Sequence, residues 1–188
     1  MQFSLDSTPR LNLFGDDSLG SQITQNNTFF VDQNDSALKF LFANQPTAEC
    51  HWPMLLMGPN GTGKTAIAVS IAADIAGRKS SHVTILTATN FRRRFDNAIE
   101  TNSVTQFRQN ILASDAILID GLQELAGYEK AQLELCNVLD QLIDLGCPTI
   151  ITFTGDQDRL NGALLPRLIS RVSVGLCLSI KPPSQNVR

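Results

Sequence analysis

The chain is expected to fold as α/β, a parallel sheet of about five strands with helices on both faces. Three observations predict this. Short apolar runs alternate with amphipathic stretches from Trp52 onward, the pattern of strands joined by crossover helices. Between the first such pair stands Gly58-Pro59-Asn60-Gly61-Thr62-Gly63-Lys64-Thr65, which fits the phosphate-binding pattern G-x-x-x-x-G-K-[ST]. A later apolar strand, Ile117-Leu118-Ile119, ends in the acid Asp120.

Composition bounds the rest. A chain of 188 residues with 43% hydrophobic content is one domain by length and can bury a core. A net charge of −3 gives no global attraction to nucleic acid, so any such contact must use a local patch. Cys50, Cys136, Cys147 and Cys177 show no metal spacing, and His51 and His82 stand alone, so buried reduced thiols are expected. The N-terminus lacks a signal-peptide pattern and no apolar run has membrane-spanning length. The expectation is a cytoplasmic protein with no membrane partner.

Taken in order, residues 1–27 are polar and read as a poorly ordered arm, and 28–188 as the domain proper. Thr28-Phe29-Phe30-Val31 reads as a short extended piece, and a helix capped by Asn34 or Asp35 runs to Phe42, followed by a connector to His51. Trp52 to Met57 is the first strand of the phosphate-loop unit. Ile67, Ile71 and Ile75, flanked by Ala68 and Ala72, place a helix from Thr65 to Ala76, with Gly77 as its stop. His82 to Thr87 is β-branched and extended. Two helices follow, Asn90 to Glu100 and about Val104 to Leu112. A third strand spans Asp115 to Asp120. A long helix from Glu129 to Leu145 ends at Gly146. Thr149 to Phe153 is a strand, Leu164 to Arg171 a short helix, and Val174 to Ser179 the last strand, before Lys181-Pro182-Pro183 halts regular structure.

The loop chemistry assigns each position a task. Gly58, Gly61 and Gly63 allow tight turns that aim backbone N–H groups at phosphate oxygens, with Pro59, Asn60 and Thr62 lining the same loop. Lys64 reaches the outer phosphates as a point charge, and the Thr65 hydroxyl suits Mg²⁺. The helix that follows turns its positive end to the phosphates. Asp120, at the carboxyl end of its strand, is the second metal-holding group. The cofactors expected from these residues are therefore Mg²⁺ and a nucleotide with β- and γ-phosphates, which the resemblance given below implies is ATP. The plain alternatives are a chance glycine-rich turn and an ordinary strand-ending aspartate; the strand and helix flanks, and the pairing of the two motifs, argue against them.

The run Ser114-Asp115-Ala116-Ile117-Leu118-Ile119-Asp120-Gly121-Leu122-Gln123-Glu124-Leu125-Ala126-Gly127-Tyr128-Glu129-Lys130 resembles the Walker B region of the bacterial replication initiator DnaA, which reads approximately D-V-L-L-I-D-D-I-Q-F-L-A-G-K-E. Arg167-Leu168-Ile169-Ser170-Arg171, then Gly175-Leu176 and Lys181-Pro182-Pro183, is similar to that family's R-L-x-S-R…G-L…P-P ending. The two helices before the Walker B strand match its layout, and the likeness covers about residues 28–188. It implies a P-loop NTPase of the AAA+ class, a three-layer sandwich, acting in DNA replication initiation. It also implies that Arg171, with Arg167 beside it, is an arginine finger touching the nucleotide of a neighbouring AAA+ subunit, either another copy or a full-length initiator. The helix pair carries the family's single-strand contact, which makes Arg92, Arg93, Arg94 and Arg108 candidates for a weak DNA contact. A solvated face neutralised by Asp96 and Glu100 is the favoured reading of those arginines.

Three departures qualify the resemblance. Gly121 stands where the family has the acid that polarises the attacking water, and Glu124 is a displaced substitute. Phe153-Thr154-Gly155-Asp156-Gln157-Asp158 replaces S-D-R-x-P, so Asp156 fits the sensor position only with a one-residue slip. The chain is also too short for the family's helical lid and helix-turn-helix domain, so no sequence-specific reading of duplex DNA is expected. The leading expectation is an ATP-binding regulatory or accessory factor in replication initiation, with weak or absent hydrolysis. The alternative is an active ATPase serving as initiator or helicase loader. A small-molecule phosphotransferase lacks a visible acceptor pocket and arginine-rich lid, and a paralogue that has lost nucleotide binding is at odds with the intact Gly58–Thr65 loop.

Overall fold

A computed structural model describes residues 11–13, 52–79 and 81–182. Within it the strands are β1 (Leu11–Leu13), β2 (Met54–Gly58), β3 (Val83–Thr87), β4 (Ala116–Asp120), β5 (Thr149–Thr154) and β6 (Leu176–Ser179). The helices are α1 (Lys64–Lys79), α2 (Ala88–Glu100), α3 (Val104–Leu112), α4 (Glu129–Asp144), α5 (Gln157–Ala163) and α6 (Pro166–Val172). All strand pairs are parallel, in the order β1-β3-β4-β5-β2-β6.

Side chains alternate between the two faces of a strand, and here both faces are covered. Met54, Leu56, Leu118 and Ile150 point to the side of α1, where Ile67, Ala68, Ile71 and Ala72 meet them. Leu55, Met57, Ile117, Ile119, Ile151 and Phe153 point to the other side, onto Phe91, Phe107, Leu135, Leu139 and Leu168 of α2, α3, α4 and α6. This three-layer arrangement explains why the strands read as unbroken apolar runs. No helix among the described residues is long and apolar enough to cross a membrane.

The sheet order positions the site. From β2 the chain crosses away to β3 and returns strand by strand to β5, which lies beside β2; from β5 it crosses β2 to reach β6. Connections therefore leave β2 and β5 in opposite directions. That opens a crevice at their carboxyl ends, where ligands bind in open α/β sheets.

Several boundaries differ from the sequence reading. The helix after the phosphate loop runs through Gly77 to Lys79, because one helical glycine costs only about 1 kcal/mol, less than the packing of that face returns. Leu11–Leu13, read as part of the arm, forms a sixth, edge strand on β3. The last helix begins at Pro166, in the first-turn position that tolerates a missing N–H. Two elements carried no periodic signal: a 3₁₀ turn at Leu122–Leu125, and α5, capped by the Asp156 carboxylate accepting from the Arg159 N–H at 2.9 Å. Gly146 ends the long helix as expected, with φ 61° and the Cys147 N–H donating to the Leu142 carbonyl. Of the thiols, Cys136 and Cys147 are buried and reduced, burial pushing Cys147 up to about 11, whereas Cys177 is exposed. The expected Thr28–Val31 piece, the helix to Phe42, the connector and Cys50 lie outside the described residues.

Candidate nucleotide-binding site

The phosphate loop leaves β2 at Gly58 and enters α1 at Lys64. Gly61 and Gly63 hold φ of 79° and 80°, left-handed conformations that favour glycine. Gly58 is glycine for a second reason: a Cβ there would lie 2.3 Å from the Ile180 carbonyl oxygen, since the chain after β6 runs directly over the start of the loop. The Ile180 N–H seals that contact by donating to the Met57 carbonyl at 2.7 Å.

Lys64 is 6% exposed, and its ammonium donates to the Pro59 carbonyl at 2.7 Å and to the Thr62 hydroxyl at 3.4 Å. Burial lowers its pKa, opposed by the charge of Asp120. A buried cation that donates its hydrogen bonds to neutral oxygens, at the positive end of a helix, is a setting that an anion improves. The Thr65 hydroxyl donates to Asp120 Oδ1 at 2.8 Å. So two residues 55 positions apart, named from sequence as metal-holding, meet in space.

Asp120 Oδ1 also accepts from the Thr152 hydroxyl at 2.6 Å, and Thr152 accepts from the Gly121 N–H at 2.8 Å. Thr152 is buried on β5 beside the tip of β4. It fixes the carboxylate from behind, and sequence reasoning missed it because a buried threonine in a strand looks like β-propensity alone. Among the described residues no three His, Cys, Asp or Glu side chains converge. A hard cation held here by Thr65 and Asp120 would complete its shell with phosphate oxygens and water, which is how Mg²⁺ commonly binds nucleotides.

The remaining candidates are dispersed. Gly121 has φ 77° and ψ 48°. Glu124 is exposed on the 3₁₀ turn, and Asp156 is occupied as the cap of α5. Arg159, not singled out from sequence, lays its side chain across Gly155, where a Cβ would meet its Cδ at 2.6 Å; Gly155 in turn donates to the Gly58 carbonyl at 3.1 Å. Arg171 is bound to Asp140 of α4 at 2.9 Å and to the Ser170 hydroxyl at 3.0 Å, and Arg167 lies 3.8 Å from the same carboxylate. That hydrogen bond raises the Arg171 pKa.

The four basic candidates of the helix pair have different surroundings. Arg108 forks onto the buried carboxylate of Glu134, Nη2 to Oε2 at 2.7 Å, so it ties α3 to α4. Arg92 stacks its guanidinium 4.1 Å over the Tyr128 ring. Arg93 and Arg94 line a cleft of about 530 Å³ between α2 and α3, together with Asn90, Asn97, Gln106 and Asn110. Burial lowers the Arg94 pKa.

Fold and loop together define a P-loop protein of the AAA+ class. The profile of the bacterial DnaA ATPase domain matches residues 24–179, and the chain belongs to that family. It is 31% identical over 142 residues to the chromosomal replication initiator protein DnaA of Acinetobacter baylyi, covering 75% of this chain and 30% of that protein. The chain thus spans about a third of the length of such relatives. Among solved structures it resembles a replication initiator DnaA bound to AMPPCP and single-stranded DNA, with TM-score 0.67, 24% identity, and coverage of 77% of this chain and 44% of the other. It also resembles the DnaC helicase loader, with TM-score 0.69, 19% identity, and coverage of 86% and 97%. These two likenesses are of fold.

Proposed function

We propose that this domain binds ATP with Mg²⁺ at the Gly58–Thr65 loop and serves as a regulatory or accessory factor in DNA replication initiation, in the cytoplasm, hydrolysing ATP slowly if at all. The observation that carries the reading is the hydrogen-bonded chain Thr65–Asp120–Thr152 at the head of the loop, with bonds of 2.8 and 2.6 Å. It prearranges the two oxygens that would hold the metal beside the buried Lys64. Bound Mg²⁺ would neutralise phosphate charge. The loop N–H groups and Lys64 would orient the phosphates. Gly121 supports slow turnover, since it offers no side chain to take a proton from water. The AMPPCP in the related initiator's structure supports nucleotide as the ligand class.

Mg-ATP at about 100 times its dissociation constant stabilises a fold by about 2.7 kcal/mol, so it should raise the Tm of the wild type. Lys64→Ala should abolish that rise. Absence of any wild-type shift at millimolar ATP would sink the proposal.

A strand contact is the second reading, and the cleft between α2 and α3 favours it. Arg93 and Arg94 are the basic residues lining that cleft. The contact proposed is weak, salt-sensitive and indifferent to sequence.

A further inference from the structure

Beside Gly121, which stands where the family has its water-polarising acid, lies the side chain of Gln123. The 3₁₀ turn folds Gln123 back over the tip of β4. Its Oε1 accepts from the Thr154 N–H at 2.9 Å. Only the oxygen of a carboxamide can accept from a backbone N–H, so this bond fixes which end of the amide faces β5. The NH₂ group therefore faces the other way. It lies 3.4 Å from the point a Cβ on Gly121 would occupy, and it makes no hydrogen bond among the described residues. The anchor is well placed: Thr154 is in register with Gly58, and the next residue, Gly155, donates to the Gly58 carbonyl. The carboxamide thus bridges the end of β4, where Asp120 sits, and the end of β5, beside the start of the phosphate loop.

We propose that Gln123 reads the terminal phosphate of a bound nucleoside triphosphate, its NH₂ donating to a phosphate oxygen. This rests on the nucleotide reading above and adds to it a residue and a discrimination. A carboxylate at this position accepts hydrogen bonds and repels an anion. An amide whose oxygen is turned to the Thr154 N–H presents its donor group on the other side. That donor would register whether the outermost phosphate is present.

The test is isothermal titration calorimetry of the full chain with Mg-ATP and with Mg-ADP, for wild type, Gln123→Glu and Gln123→Ala. Gln123→Glu keeps an oxygen for the Thr154 N–H while it removes the donor and adds a charge that repels phosphate, so it stays informative even where Gln123→Ala fails to fold. A hydrogen bond to a charged group implies a loss of about tenfold or more in ATP affinity for either variant. ADP affinity should be unchanged, so the ratio of the two constants falls. An unchanged ratio, with both nucleotides weakened alike or neither affected, overturns the proposal and leaves Gln123 a turn-bracing residue. Wild-type protein that binds neither nucleotide overturns the nucleotide reading itself, and this inference with it.

Discussion

At the scale of single residues, the site is governed by which atoms remain uncommitted. Gly121 shows the constraint most directly. With φ 77° and ψ 48° it turns the chain out of β4, while its N–H is held by Thr152. An L-residue in that left-handed conformation costs on the order of 1–3 kcal/mol. Gly121→Ala should therefore lower stability by about 1 kcal/mol, or about 2–4 °C in Tm for a chain of this size. Gly121→Asp should suffer the same strain and not restore fast turnover, although it reinstates an acid at the family's position. Thermal unfolding checks the first expectation and a coupled phosphate-release assay the second; wild-type turnover of about one per second or faster, near ordinary enzyme rates, would show that the missing acid is dispensable.

At the scale of elements, the helix pair α2–α3 separates structural from solvent-facing charge. The family resemblance grouped Arg92, Arg93, Arg94 and Arg108, and a run of arginines beside Asp96 and Glu100 carries no sign of which guanidinium is spent. The partners come from elsewhere in the chain: Glu134 for Arg108 lies 26 positions away, and Tyr128 for Arg92 lies beyond β4. Removing one partner of a buried pair strands the other's charge. Glu134 is 4% exposed but Arg108 is 37% exposed, so water can reach part of the pair and the full penalty is discounted. Arg108→Ala should cost about 2 kcal/mol in urea unfolding, whereas Arg93→Ala should fall within about 0.5 kcal/mol. For a labelled thymidine oligonucleotide at low salt the order should reverse, with Arg93→Ala and Arg94→Ala weakening anisotropy-detected binding and reducing its salt slope. Equal loss of stability in Arg93→Ala and Arg108→Ala would remove the distinction.

At the scale of the whole molecule, sequence periodicity revealed the sheet, because buried parallel strands and packed helices impose their repeats over many residues. The phosphate loop and Asp120 were legible because their chemistry demands fixed residue types. The contacts that turn these parts into a site, Thr152 on Asp120, Gln123 on Thr154 and Asp140 on Arg171, were not legible: each is a polar side chain of ordinary type whose partner is set by strand order. Asp140 is the contact that bears on the proposed subunit docking. It holds Arg171 from α4 and has Arg167 within 3.8 Å, so two guanidinium groups share one carboxylate at the junction of α4 and α6. Guanidinium is permanently charged and forks readily onto phosphate oxygens, and one held in place loses less entropy on docking. If Arg171 serves the nucleotide of a neighbouring subunit, Arg171→Ala should leave the ATP affinity of the isolated chain unchanged while weakening ATP-dependent association with itself or with a full-length initiator. Asp140→Asn should weaken association less, because it loosens the guanidinium without removing it. Light scattering with and without Mg-ATP measures this directly. Equal association by the wild type and Arg171→Ala would reduce the Asp140–Arg171 pair to a brace between two helices.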